Sequence, residues 1–90
     1  MIIQSKKVWL ADQFTAAQIE MEGGKIAGIY DYGTKPVDRD YGSERILPGF
    51  IDVHCHGAFG FDTNDAEEEG LRYWLRHVVD EGVTALLPTT

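Results

Sequence analysis

The ninety-residue sequence has one cysteine, Cys55, three prolines and no apolar run near the ~20 residues that a membrane-spanning helix needs. A lone thiol excludes an internal disulfide and agrees with a reducing compartment. Little proline, with 43% hydrophobic and 26% charged residues, excludes a disordered or collagen-like chain. Basic residues are also scarce: eight Lys and Arg against fifteen Asp and Glu leave a formal charge of -7. Such a surface repels phosphate backbones and anionic lipid, so neither nucleic acid nor a membrane is an expected partner. The opening "MIIQSKKVWLADQF" has no basic stretch leading into an apolar segment, and a cytoplasmic location is expected.

What is present divides near Pro48. Residues 1 to 47 alternate in short strand-like segments, and Glu22-Gly23-Gly24-Lys25 sits between two of them as a hairpin signal. The alternation after the turn, at Ile26, Ile29 and Tyr30, is imperfect and leaves the register open. "DYGTKPVDRDYGSER" is polar and reads as a connection. From Pro48 onward the order is strand, helix, strand. "GFIDVHCH" is a compact apolar run, and Leu71, Trp74, Leu75, Val78 and Val79 form the stripe of one helix face. Asn64 or Asp65 can cap that helix, Glu67 to Glu69 suit its positive end, and Gly82 can end it. Gly70 should weaken the first turn by about 1 kcal/mol. "VTALLP" lacks polar alternation, as parallel strands covered on both faces do, so a βαβ unit within an α/β fold is the expectation.

Two histidines two residues apart close the first of these strands. Side chains alternate along a strand, so Phe50, Asp52, His54 and His56 share one face while Ile51, Val53 and Cys55 take the other. Imidazoles so placed can meet on one divalent ion at about 2.0 to 2.1 Å. They also fall at the carboxyl end of the strand, just before Gly57, where parallel α/β sheets and barrels carry their sites. The period-two argument turns Cys55 away from them, toward the helix layer, as a small apolar residue. Asp52 has two readings, an orienting partner for a ligand imidazole or a structural hydrogen-bond acceptor. Asp62 is expected in a loop or capping role, and His77 is expected to be solvated.

"LPGFIDVHCHG" resembles the first barrel strand of the amidohydrolase superfamily. "HGAFGFDTNDA" followed by "EGVTALLPTT", with "GGKIAGI" before them, resembles more narrowly the N-acetylglucosamine-6-phosphate deacetylases. The resemblance implies that residues 1 to 47 are the amino-terminal part of a small β-sandwich domain. Residues 48 to 90 would be the first strand-helix-strand unit of a (β/α)8 TIM-type barrel. It further implies a metal-dependent amide hydrolase acting on an amino-sugar phosphate, in a homodimeric parent. His54 and His56 would be metal ligands, for zinc or alternatively iron or another divalent ion, one ion or two. The remaining ligands and the acid-base aspartate would lie beyond Thr90, so no catalytic residue is expected within this chain. A barrel of roughly 250 residues is more than this chain can supply. It is therefore read as an amino-terminal piece, inactive alone and prone to self-association through Ile51, Val53, Leu86 and Leu87. Three alternatives stay open: a deaminase or cyclic-amide hydrolase of the same superfamily, a small non-enzymatic domain with structural histidines, and a subunit half completed by another chain.

Overall fold

A computed structural model describes all ninety residues, Met1–Thr90. The chain forms two compact units, Met1–Pro48 and Gly49–Thr90, in a mixed α/β, sheet-rich arrangement. No helix is long and apolar enough to cross a membrane.

The first unit is a five-stranded sheet. β1 (Ile2–Leu10), β2 (Gln13–Glu22) and β3 (Lys25–Asp31) make an antiparallel meander, while β4 (Arg39–Asp40) and β5 (Arg45–Ile46) both pair with β1 in parallel. The hairpin signal is realised: Glu22 faces Lys25, and Gly23 and Gly24 take φ of 59° and 75°, the left-handed pair that a two-residue turn requires. The alternation that follows is imperfect because the register shifts between Glu20 and Met21, where Ala27 is an extra residue opposite a single step of β2. A second shift lies in β1 between Ser5 and Val8, and it resolves the phase break in "IIQSKKVWL". Ile3 and Ser5 precede the bulge and Val8 and Leu10 follow it, all on one face.

That face carries a core of Val8, Ala17 and Ile19, with Ile3, Leu10, Met21 and Ile46 packed against it. All of these but Ala17 line a concavity of about 320 Å³ that extends over Ile26 and Ile29. The opposite face is polar and closed. Gln4 and Gln18 are cross-strand partners, and Gln18 is 0% exposed. The Gln18 amide donates to Gln4 Oε1 (2.9 Å) and to the Lys35 carbonyl (2.8 Å), and its oxygen accepts from Lys35 N (3.1 Å) and Thr34 Oγ1 (3.3 Å). Gln4 Nε2 reaches Asp40 Oδ2 at 2.9 Å, and Asp40 Oδ1 accepts from Gly42 N at 2.8 Å. The polar stretch after β3 is therefore more than a connection. Its main chain at Gly33 and Lys35 and its side chains at Thr34 and Asp40 satisfy the two buried amides, and it contributes β4 and β5. Asp40 is held below the usual carboxylate range by the Gly42 N–H first, then by the Gln4 amide, with Lys6 adding a smaller attraction.

In the second unit β6 (Phe50–Cys55) and β9 (Val83–Pro88) are parallel neighbours. Between them run a small hairpin of β7 (Gly57–Ala58) and β8 (Phe61–Asp62), a 3-10 turn at Thr63–Asp65, α1 (Glu68–His77) and a second 3-10 turn at Val78–Glu81. The strand-helix-strand order is thus present. Its core is Phe61, Trp74 and Val78, bordered by Cys55, Leu71, Val83 and Leu86. Of the helix stripe, Trp74 is 1% exposed, whereas Leu75 and Val79 face solvent. Glu68 and Glu69 lie in the first turn, Arg76 and His77 in the last, and Gly82 takes φ 79° after it. The cap differs from expectation. Asp62 and Asp65 form a reciprocal capping box on the 3-10 turn, and α1 begins from Glu67 with no side-chain cap. Gly70 has a role beyond its cost, because a Cβ there would stand 2.4 Å from Phe61 Cδ2. The glycine lets the aromatic ring close on the helix.

Candidate metal centre

β6 carries His54, and His56 follows one residue past its end. The strand geometry puts both rings on one side: their centroids are 4.9 Å apart, the planes meet at 84°, and the two Nε2 atoms approach to 3.2 Å. Two nitrogens bound to one tetrahedral zinc at ~2.05 Å stand about 3.3 Å apart. The spacing therefore suits a shared divalent cation, and the unsaturated nitrogen donors suit zinc, iron and similar metals. Both rings are solvent-accessible, which leaves room for further ligands. No group of three or more His, Cys, Asp or Glu side chains capable of holding a metal exists in the chain. The unit offers two donors, and a four-coordinate site needs others from outside it.

The surroundings sort the remaining candidates. Asp52 Oδ1 accepts from the main-chain N–H of His54 at 3.1 Å, which is the structural reading of that carboxylate. Cys55 packs beside Phe61, Trp74 and Val78, away from the imidazoles. Ile51 and Val53, on the same alternating set as Cys55, remain 70% and 68% exposed because α1 does not reach them. Asp62 caps the 3-10 turn through Asn64 N at 2.8 Å. His77, expected in solvent, keeps a side chain that is 41% exposed, with its ring 4.3 Å from that of Tyr73 and Asp80 3.5 Å from its Nδ1.

Sequence reading missed the groups that hold His56. Its Nδ1 lies 3.1 Å from the Thr89 carbonyl, while its own carbonyl accepts from Thr63 N (2.7 Å) and Thr63 Oγ1 (2.8 Å). A main-chain acceptor leaves no mark in residue type. Thr63 was visible only as one more residue of a loop.

No protein-family profile matches the chain. Among curated proteins, an N-acetylglucosamine-6-phosphate deacetylase of Lysinibacillus sphaericus is 44% identical over 72 residues, 78% of this chain and 19% of that protein. An N-acetylgalactosamine-6-phosphate deacetylase of Escherichia coli is 35% identical over 82 residues, 91% of this chain and 20% of that one. Among solved structures, a mutant N-acetyl-D-glucosamine-6-phosphate deacetylase of Mycobacterium smegmatis, in complex with N-acetyl-D-glucosamine-6-phosphate, superposes with a TM-score of 0.87. It is 21% identical and covers 98% of this chain and 24% of its own length. Fold and sequence together place the chain among the amino-sugar-phosphate deacetylases. Within that class it belongs with the N-acetylglucosamine-6-phosphate deacetylases. It spans about a fifth of the length of the curated relatives it matches.

Proposed function

We propose that this chain supplies the first two metal ligands, His54 and His56, of an enzyme that hydrolyses the acetamide of N-acetylglucosamine 6-phosphate to acetate and glucosamine 6-phosphate. The observation that carries the reading is the pair of Nε2 atoms 3.2 Å apart at the carboxyl end of a parallel strand. His54 and His56 would hold an ion whose Lewis acidity would acidify water and polarise the amide carbonyl. The residues of this chain bind and orient. His54 and His56 present neutral nitrogen donors, Asp52 fixes the main chain of His54, and Gly57, at φ 133°, permits the sharp departure of the chain beside the pair. The sugar is inferred from the relatives' names, with the galactosamine isomer as the nearest competitor.

In the same reading, residues 48 to 90 open a (β/α)8 barrel, and residues 1 to 47 belong to a β-sandwich domain. Support comes from the parallel β6 and β9 with α1 between them and from the apolar face of the first sheet, which lacks a cover. Unpaired Cys55 fits a cytoplasmic setting.

Acetate release from N-acetylglucosamine 6-phosphate and its galactosamine isomer, with zinc or iron supplied, tests the proposal in the parent protein that contains this chain. The double variant His54→Ala, His56→Ala should lose bound metal and at least a hundredfold in rate. A double variant that keeps both its metal and its rate would establish the histidines as structural. The ninety residues alone should release no acetate.

A further inference from the structure

The geometry points to Thr63 as a positioning residue that, with the main-chain carbonyl of Thr89, locks His56 in the tautomer and orientation that aim its Nε2 lone pair at His54. This inference rests on the proposal that the two histidines hold a divalent ion.

A carbonyl oxygen only accepts, so the His56 Nδ1 that stands 3.1 Å from Thr89 O must carry the proton. In neutral imidazole the other nitrogen is then a bare acceptor. That nitrogen is the one that faces His54 Nε2 at 3.2 Å. Thr89 thereby selects the ligand-competent tautomer, as partners of metal-bound histidines commonly do.

A tautomer lock works only if the main chain of His56 is itself held, and the sheet does not hold it. The last paired residues of the ladder are Cys55 and Pro88. Pro88 has no N–H to donate. The last main-chain bond at this end runs from Thr89 N to Cys55 O at 2.8 Å, one residue short of His56. Thr63 supplies what the ladder lacks, since both its N–H and its hydroxyl donate to the His56 carbonyl, at 2.7 and 2.8 Å. Two donors saturate that oxygen. Thr63 is in turn fixed as the first residue of the 3-10 turn closed by the Asp62 and Asp65 capping box, with Asp65 Oδ2 accepting from Asp62 N at 3.0 Å. The capped turn thus immobilises Thr63, and Thr63 immobilises His56. His54 has no comparable tether on its ring.

The test uses the parent protein that contains this chain, stripped of metal, and four variants. Imidazole nitrogen shifts from long-range proton-nitrogen correlation should show the neutral form of His56 protonated on Nδ1. Thr63→Ser, which keeps the hydroxyl, and Thr89→Val, which keeps the carbonyl, should leave this unchanged. Thr63→Val should mix the tautomers and weaken Zn2+ binding about tenfold, at the lower end of the effect of removing such partners. His56 protonated on Nε2 in the unsubstituted protein would overturn the lock, and that measurement needs no variant to fold. Zn2+ binding unchanged in Thr63→Val but lost in the double histidine variant would overturn the role of Thr63 alone. Binding retained in the double variant would overturn the metal reading itself, while the tautomer data would still decide whether Thr63 positions the ring.

Discussion

In Met1–Pro48 two buried glutamines, beside the apolar Val8, Ala17 and Ile19, bind the polar stretch after β3 to the β1–β2 hairpin, whereas in Gly49–Thr90 the buried side chains are only apolar, Phe61, Trp74 and Val78. Hydrogen bonds between amides are directional, and every buried side-chain polar atom here has a partner. The first unit is therefore specified by geometry. Apolar contact is not directional, so three buried apolar residues with five others around them do not by themselves fix the orientation of a strand end. Yet the second unit places its histidines more tightly than its core would suggest. The difference shows that local hydrogen bonds around a strand end, at Thr63, Thr89 and Asp52, can order a site that packing alone does not.

The strongest way to break this contrast is to empty the apolar core of the second unit. Trp74→Ala removes its most enclosed side chain and should cost about 3 to 5 kcal/mol. Amide hydrogen exchange should then show the second unit unprotected while β1 and β2 keep their protection. Equal loss in both units would mean that they do not hold themselves separately. A smaller effect is expected from Gln18→Leu, which strands Lys35 N and O and leaves Gln4 Oε1 with only Gly33 N, at 3.3 Å. The cost should be about 1 to 3 kcal/mol, seen as a lower urea midpoint and as loss of protection confined to the first unit. An unchanged midpoint would show that the apolar face, not the amide network, carries that sheet.

How far each unit could be read in advance follows the same division. The Gly23-Gly24 turn, the helix stripe around Trp74 and the shared face of His54 and His56 were legible, because each depends on local spacing and side-chain type. Ile51, Val53 and Leu87 were legible as short of neighbours and are exposed, whereas Leu86, grouped with them, packs against the core of Phe61, Trp74 and Val78. The Gln4–Gln18 pair could not be read, since it depends on a register displaced by a bulge at Lys6-Lys7 and on a loop's carbonyl groups. Nothing in a glutamine marks it as buried. Thr89 was opaque for the same reason, for it acts on His56 through its main chain.

The smallest expected effect probes the rim of the amide network by pH. Asp40 titrates below an ordinary aspartate, mainly because Gly42 N–H and then the Gln4 amide favour its charged form. Its folded value lies below its unfolded one, near 3.9. The stability it adds is thus fully present above about pH 4 and is lost as pH falls through the folded value, where the unfolded chain binds more protons. Asp40→Asn keeps an oxygen for Gly42 but sets an amide nitrogen or the same shared oxygen against Gln4 Nε2. The first unit should be less stable in this variant at about pH 6, and the gap to the unsubstituted protein should narrow on acidification to about pH 3. Because Asp40 is solvent-exposed, water screens it and the gap should be small beside that of Gln18→Leu. A gap that stays constant across this range would mean that Gln4 is held by Gln18 and Gly33 alone, which would place the whole specificity of the polar face in its buried amides.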